Sequence, residues 1–253
     1  MRVSKIEFTG HDGSLLAARL DQPDDLPRAC ALFAHCFTCG KDIHAASRIS
    51  KALCEQGIAV LRFDFTGLGM SEGEFANTNF SSNVADLVCA ADFLRRQQQA
   101  PSLLVGHSLG GAAVIAAAHS IPETRAVATV GAPADPTHVV KQLGDAVEAL
   151  RTTEEVDVLL AGRHFRIQRQ FLEDLRAQSM VKHLAELGCA LLVMHSPQDE
   201  IVDIDNARRI YEAARHPKSF VALDGAKHLL GHREDAMYTA RVLAVWAERY
   251  LSD

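Results

Sequence analysis

Positive charge is in short supply in this chain: 26 lysines and arginines stand against 32 aspartates and glutamates, a formal net charge of −6. That balance argues against neutralising a phosphate backbone as the main task. Aromatic residues make up only 6% of the chain, with a single tryptophan, and no basic run carries aromatics between its charges. Nucleic acid is therefore not an expected partner. No stretch approaches the ~20 consecutive apolar residues that a membrane-spanning helix needs, and no membrane association is expected. Residues 1–10 place Lys5 and Glu7 in a short alternating segment and lack a signal-peptide core, so a cytoplasmic location is the expectation. Cysteine is sparse as well. Cys30, Cys36, Cys39, Cys54, Cys89 and Cys189 fall mostly within predicted strands and helices, and we expect reduced core thiols. Internal repeats and low-complexity linkers are lacking.

What is present is a globular balance, with 48% of the 253 residues apolar and 23% charged. It supplies a substantial core for one domain with a small insertion. Residues 3–8 and 15–20 read as two strands around Gly10-His11-Asp12-Gly13, a hairpin-like turn. Short apolar strands are predicted at 30–34, 59–63, 103–105, 126–130, 190–194 and 220–223. Between them run helical patterns. Ile43, Ala46, Ile49 and Leu53 share a face, with Asp42 as expected N-cap, and Phe80, Val84, Leu87, Val88, Ala91 and Leu94 share another. Residues 112–118, 206–214 and 237–250 are also predicted helical. Strands alternating with helices imply a mostly parallel sheet with helices on both faces and the amino-terminal pair at one edge.

The rhythm breaks from about 134 to 187. Val139, Leu143, Val147 and Leu150 predict one helix, residues 156–167 a small hairpin around Gly162, and Phe171, Leu172 and Leu175 a further helix. We read the segment as a cap inserted over the carboxyl edge of the sheet.

The chemistry centres on Gly106-His107-Ser108-Leu109-Gly110, which follows the strand at 103–105 and precedes an alanine-rich helix. This is the Gly-x-Ser-x-Gly nucleophile elbow in its strand-to-helix setting. A serine at so sharp a turn sits in strained backbone, and its neighbours two positions away approach too closely for a Cβ. The alternative is a glycine-rich turn without chemistry. A serine hydroxyl needs a base within reach and a third group to orient that base. His228, past the last strand and between Gly225 and Gly231, is the expected base, with His232 as the other candidate. Asp199, after Pro197 and before Ile201-Val202, is the expected orienting carboxylate. Glu200, Asp203 and Asp224 compete with it.

A tetrahedral intermediate needs two donors for its oxyanion. We assign the N–H of Leu109 and the N–H of Phe37, in the loop after the 30–34 strand, and expect His35 to brace that loop. Residues 64–71 are glycine-rich but lack the lysine and spacing of a phosphate loop, so a packed turn near the nucleophile is expected. Cys36-Phe37-Thr38-Cys39 is a C-x-x-C that could close into a disulfide under oxidants, although small residues fitted beside the oxyanion loop are the favoured reading.

With residues 31–42, 62–69 and the elbow together, the chain resembles the α/β-hydrolases. More narrowly it resembles the hydrolase domain found fused to OsmC-like thiol peroxidase domains, and residues 75–81 and 131–136 add to the match. The resemblance implies an α/β-hydrolase fold with Ser108, Asp199 and His228 as catalytic triad and Phe37 and Leu109 as oxyanion donors. It implies no metal and no cofactor. Two departures stand out: Cys36 occupies a position where most relatives carry glycine, and the sequence stops at Asp253, so an OsmC-like partner is expected only in trans. The expected function is a serine hydrolase of small-molecule esters or thioesters. The alternatives are a catalytically silent binding module or a peptidase or C–C bond hydrolase. Oligomeric state is left open.

Overall fold

The computed structural model describes residues 1–97 and 99–251. Eight strands build one sheet: β1 (Arg2–Thr9), β2 (Leu15–Gln22), β3 (Ala29–Ala34), β4 (Ile58–Phe63), β5 (Leu103–His107), β6 (Ala126–Val130), β9 (Ala190–His195) and β10 (Lys218–Ala222). Two more, β7 (Glu155–Leu160) and β8 (Arg163–Gln168), form a separate antiparallel hairpin. The large sheet runs β1-β2-β4-β3-β5-β6-β9-β10. It is antiparallel between β1, β2 and β4 and parallel from β4 onward.

The central strands are buried on both faces, which explains their largely apolar sequences. The period of two divides each strand between two cores. Cys30, Leu32 and Ala34 of β3 join the core beneath α2 (Phe80–Arg96) and α3 (Leu109–Ala117). Ala31 and Phe33 join the opposite core, beneath α1 (His44–Glu55) and α8 (Arg233–Leu251). All nine residues of α3 are buried, so this helix has no polar face and holds a central place under the rest of the chain.

Between β6 and β9 lie the β7–β8 hairpin, α5 (Arg169–Ala177) and α6 (Met180–Ala185). The single helix expected through Val139 and Leu150 is broken. A 3₁₀ segment covers Pro136–Gln142 and a four-residue helix, α4, covers Ala146–Ala149. Gly144 between them adopts φ +53, a left-handed conformation that no right-handed helix continues through. The final helix begins earlier than the apolar pattern indicates, at Arg233, because its first turn is polar.

Asp42 does not cap α1. The N-cap position is Ile43, without a side-chain cap, while the Asp42 carboxylate takes Arg19 at 2.6 Å and Arg62 at 2.8 Å. Two guanidinium partners outweigh one backbone N–H. A second ion pair lies deeper. Lys41 Nζ meets Asp64 Oδ2 at 2.5 Å with both side chains buried. The same carboxylate accepts from the backbone N–H of Lys41 at 2.6 Å and of Met70 at 2.9 Å. Asp64 thereby ties the loop after β3 to the glycine-rich turn after β4, which is a packed turn around an acidic side chain.

Candidate active site

Strand β5 passes straight into α3 through Ser108, which stands at φ +55 and ψ −127. A non-glycine residue with that φ is strained, and the surrounding packing must hold it. The packing explains the glycines. A Cβ on Gly106 would lie 2.3 Å from the Gly110 carbonyl oxygen, and one on Gly110 would lie 2.5 Å from the Ala34 carbonyl oxygen. Ser108 N–H donates to Val130 O at 2.9 Å, which fixes the turn to β6.

His228 lies on the loop between β10 and α8, and Asp199 on the loop after β9. The Ser108 hydroxyl is 3.0 Å from His228 Nε2, and His228 Nδ1 is 2.7 Å from Asp199 Oδ2. Ser108 is 6% exposed, and the side chains of His228 and Asp199 are 7% and 2% exposed. Burial by itself would raise the Asp199 pKa. The hydrogen bond from His228 and the backbone N–H groups of Val202 and Ile201, both at 2.9 Å, outweigh it and hold the carboxyl below its ordinary range. A carboxylate only accepts, so Nδ1 of His228 carries the proton and Nε2 is free to accept from the serine.

The competing residues go elsewhere. Glu200 pairs with Lys227 at 2.7 Å on the surface, Asp203 accepts from Asp205 N–H, and Asp224 accepts from Gln198. His232 is exposed. Of the Ile201-Val202 pair, Val202 is buried and anchors the loop, while Ile201 is half exposed.

Leu109 is the first residue of α3, where backbone N–H groups have no intrahelical partner. Phe37 and Leu109 line one small apolar pocket together with Cys36, Phe65, Leu68 and Phe75. The Phe37 ring stacks on Phe171 of α5 at 5.6 Å, and Arg163 of β8 donates to the Thr38 carbonyl. His35 Nδ1 donates to Cys36 O at 2.8 Å. The loop after β3 is thus held from both sides.

One expectation is overturned here. Cys36 and Cys39 form a disulfide, while Cys30, Cys54, Cys89 and Cys189 are free. The turn between them, with Thr38 at φ +59 and Cys39 N–H on Cys36 O at 3.1 Å, brings the two sulfurs together beside Phe37. Among the described residues no group of three or more His, Cys, Asp or Glu side chains could hold a metal ion, and no helix is long and apolar enough to cross a membrane.

A largely parallel sheet with an antiparallel edge, helices on both faces and a serine elbow after the fifth strand define an α/β-hydrolase. The Hydrolase_4 family, described as serine aminopeptidase, S33, matches residues 27–154, about half of the chain, and the chain belongs to it. The palmitoyl-protein thioesterase ABHD10 of Mus musculus is 25% identical over 178 residues, covering 66% of this chain and 57% of its own length. This chain therefore spans little more than half of that relative. A monoacylglycerol lipase of Mycolicibacterium smegmatis is 24% identical over 239 residues, covering 83% of this chain and 84% of its own. Among solved structures, the esterase domain of a Rhodothermus marinus protein superposes with a TM-score of 0.83 at 49% identity, over 100% of both chains.

Proposed function

We propose that this chain is an active serine esterase or thioesterase that works through an acyl-enzyme. The observation that carries the reading is His228, whose ring spans the gap between the Ser108 hydroxyl at 3.0 Å and the Asp199 carboxylate at 2.7 Å. Ser108 Oγ attacks the acyl carbon while His228 Nε2 takes its proton. Asp199 keeps the ring in the tautomer that can accept, and it stabilises the imidazolium that forms. The backbone N–H groups of Leu109 and Phe37 receive the oxyanion, a contribution of about 10²–10³ in rate for each donor in related chemistry. His228 then returns the proton to the leaving alcohol or thiol, and water enters by the same route in reverse. The relatives named for thioesterase, lipase and esterase activity support an acyl–oxygen or acyl–sulfur bond as the target. The segment between β6 and β9 serves as the cap in this reading, since Arg163 and Phe171 both touch the loop after β3. An association with an OsmC-like domain is supported by the sequence resemblance alone.

The family description favours one second reading, release of amino-terminal residues from peptides. Purified protein assayed with a p-nitrophenyl ester series, an acyl-thioester and aminoacyl anilides separates the two. We expect ester and thioester turnover, labelling by a fluorophosphonate probe, and loss of both in Ser108→Ala. An unlabelled parent without turnover would leave a silent hydrolase fold.

A further inference from the structure

Three histidines outside the proposed triad stand at the carboxyl ends of parallel strands: His35 directly after β3, His107 ending β5 and His195 ending β9. All are buried, at 2%, 1% and 0% exposed. Each sets one ring nitrogen on a backbone carbonyl of a different loop at the site. His35 Nδ1 meets Cys36 O at 2.8 Å, His107 Nε2 meets His228 O at 2.7 Å, and His195 Nε2 meets Val202 O at 2.8 Å. In every case the other ring nitrogen, Nε2 of His35 and Nδ1 of His107 and His195, is buried with no hydrogen-bond partner among the described residues.

A carbonyl can only accept, so the bonded nitrogen carries the hydrogen. A buried ring bonded on one side and bare on the other is neutral, with its tautomer fixed. Leucine would fill such a space without a bare ring nitrogen, so the side chain's use lies in the N–H it donates. Two of the three rings border the acid–base pair itself. The His107 ring centroid is 5.0 Å from that of His228, and His195 Nε2 is 3.6 Å from Asp199 Oδ2.

We propose that His107 and His195 are positioning residues for the His228–Asp199 pair, each a neutral imidazole that donates its Nε2–H to the backbone of the loop carrying one member. The inference rests on the reading of His228 as base and Asp199 as its orienting acid. His107 fastens the His228 backbone to the nucleophile strand, and His195 fastens the stretch that ends at Val202, whose N–H binds Asp199. Neutrality matters because His228 must gain a proton during turnover. A lysine or arginine at 107 would donate equally well and oppose that charge.

Glutamine places an uncharged N–H close to the position of Nε2, and leucine deletes it, so paired variants separate donation from packing. With p-nitrophenyl acetate we expect kcat to fall about tenfold or more in His107→Leu and in His195→Leu with KM little changed, and to recover to within about threefold in His107→Gln and His195→Gln. Equal losses in the leucine and glutamine variants, or no loss in either leucine variant, overturn the proposal. ¹⁵N NMR of histidine-labelled protein reads the same claim without turnover. Neutral Nε2–H tautomers at 107 and 195 are expected near neutral pH, with a downfield His228 Nδ1–H signal that weakens in the leucine variants and persists in the glutamine variants. An Nδ1–H tautomer or a doubly protonated ring at either position sinks the idea, even if a leucine variant fails to fold. If Ser108→Ala leaves turnover unchanged while these signals are as expected, the functional reading fails and the positioning geometry stands.

Discussion

Gly131 packs flat against Asp199: a Cβ at 131 would lie 3.2 Å from Asp199 Oδ2 and 3.3 Å from His228 Nδ1. The glycine directly follows β6 at φ +57, and its N–H donates to Met194 O at 2.9 Å, so its backbone has little freedom to retreat. A methyl group there must displace the acid, the base or both. Gly131→Ala should therefore lower kcat by about tenfold or more and destabilise the fold by about 1 kcal/mol. Steady-state kinetics beside urea unfolding check this, and unchanged kcat would show that the pair tolerates a shift.

Ser108 carries the opposite trade. Its left-handed backbone costs about 1–2 kcal/mol for a residue with a Cβ, and glycine removes that cost. Ser108→Gly should unfold at a temperature a few degrees above the parent, since ~1 kcal/mol moves the midpoint of a protein this size by about 2–4 °C. Ser108→Ala keeps the Cβ and should not gain. Both variants should lack ester turnover. Calorimetry of the three proteins decides the point, and a Ser108→Gly midpoint below the parent's would place the strain elsewhere.

Thiol counting addresses the loop beside Phe37. Denatured, unreduced protein should show four reactive thiols, and native protein should react slowly, because burial pushes Cys30 and Cys54 up to about 12 and Cys189 up to about 11. A dithiol reductant should raise the denatured count to the full six cysteines and lower ester turnover, since it releases the turn that holds Phe37. Six thiols before reduction would mean an open pair.

Much of this architecture was legible in the chain because its signals are local. The β5 and β6 strands are mostly apolar, the elbow is a five-residue motif, and His228 and Asp199 follow strands on polar loops. What escaped the sequence depends on partners far along the chain. Asp42 reads as a cap until Arg62, 20 residues on, takes its carboxylate. His107 reads as the variable residue of a motif, yet its partner is the carbonyl of His228, 121 residues away. The Gly131 contact with Asp199 and His228 has no sequence signature at all. The Cys36–Cys39 bond is a different case, since the spacing was visible and the turn geometry that closes it was not.

The buried histidines also set how stability responds to acid. Burial, reinforced by the nearby His228, holds His107 down to about 4 from an ordinary 6.5, and burial likewise lowers His35 and His195. Between pH 6.5 and 4 the unfolded chain therefore binds a proton at His107 that the folded chain refuses. Stability must fall as the pH drops through that window, by up to about 3 kcal/mol from His107 alone. Asp199 adds nothing there. Its lowered pKa is a stabilising contribution that disappears only below the ordinary carboxylate range, near 3.8. The urea midpoint measured at pH 7.5 and pH 5 should thus decrease on acidification, and His107→Gln, which cannot take a proton, should flatten the dependence. Parallel pH profiles in parent and variant would show that His107 is not the group being excluded from protonation.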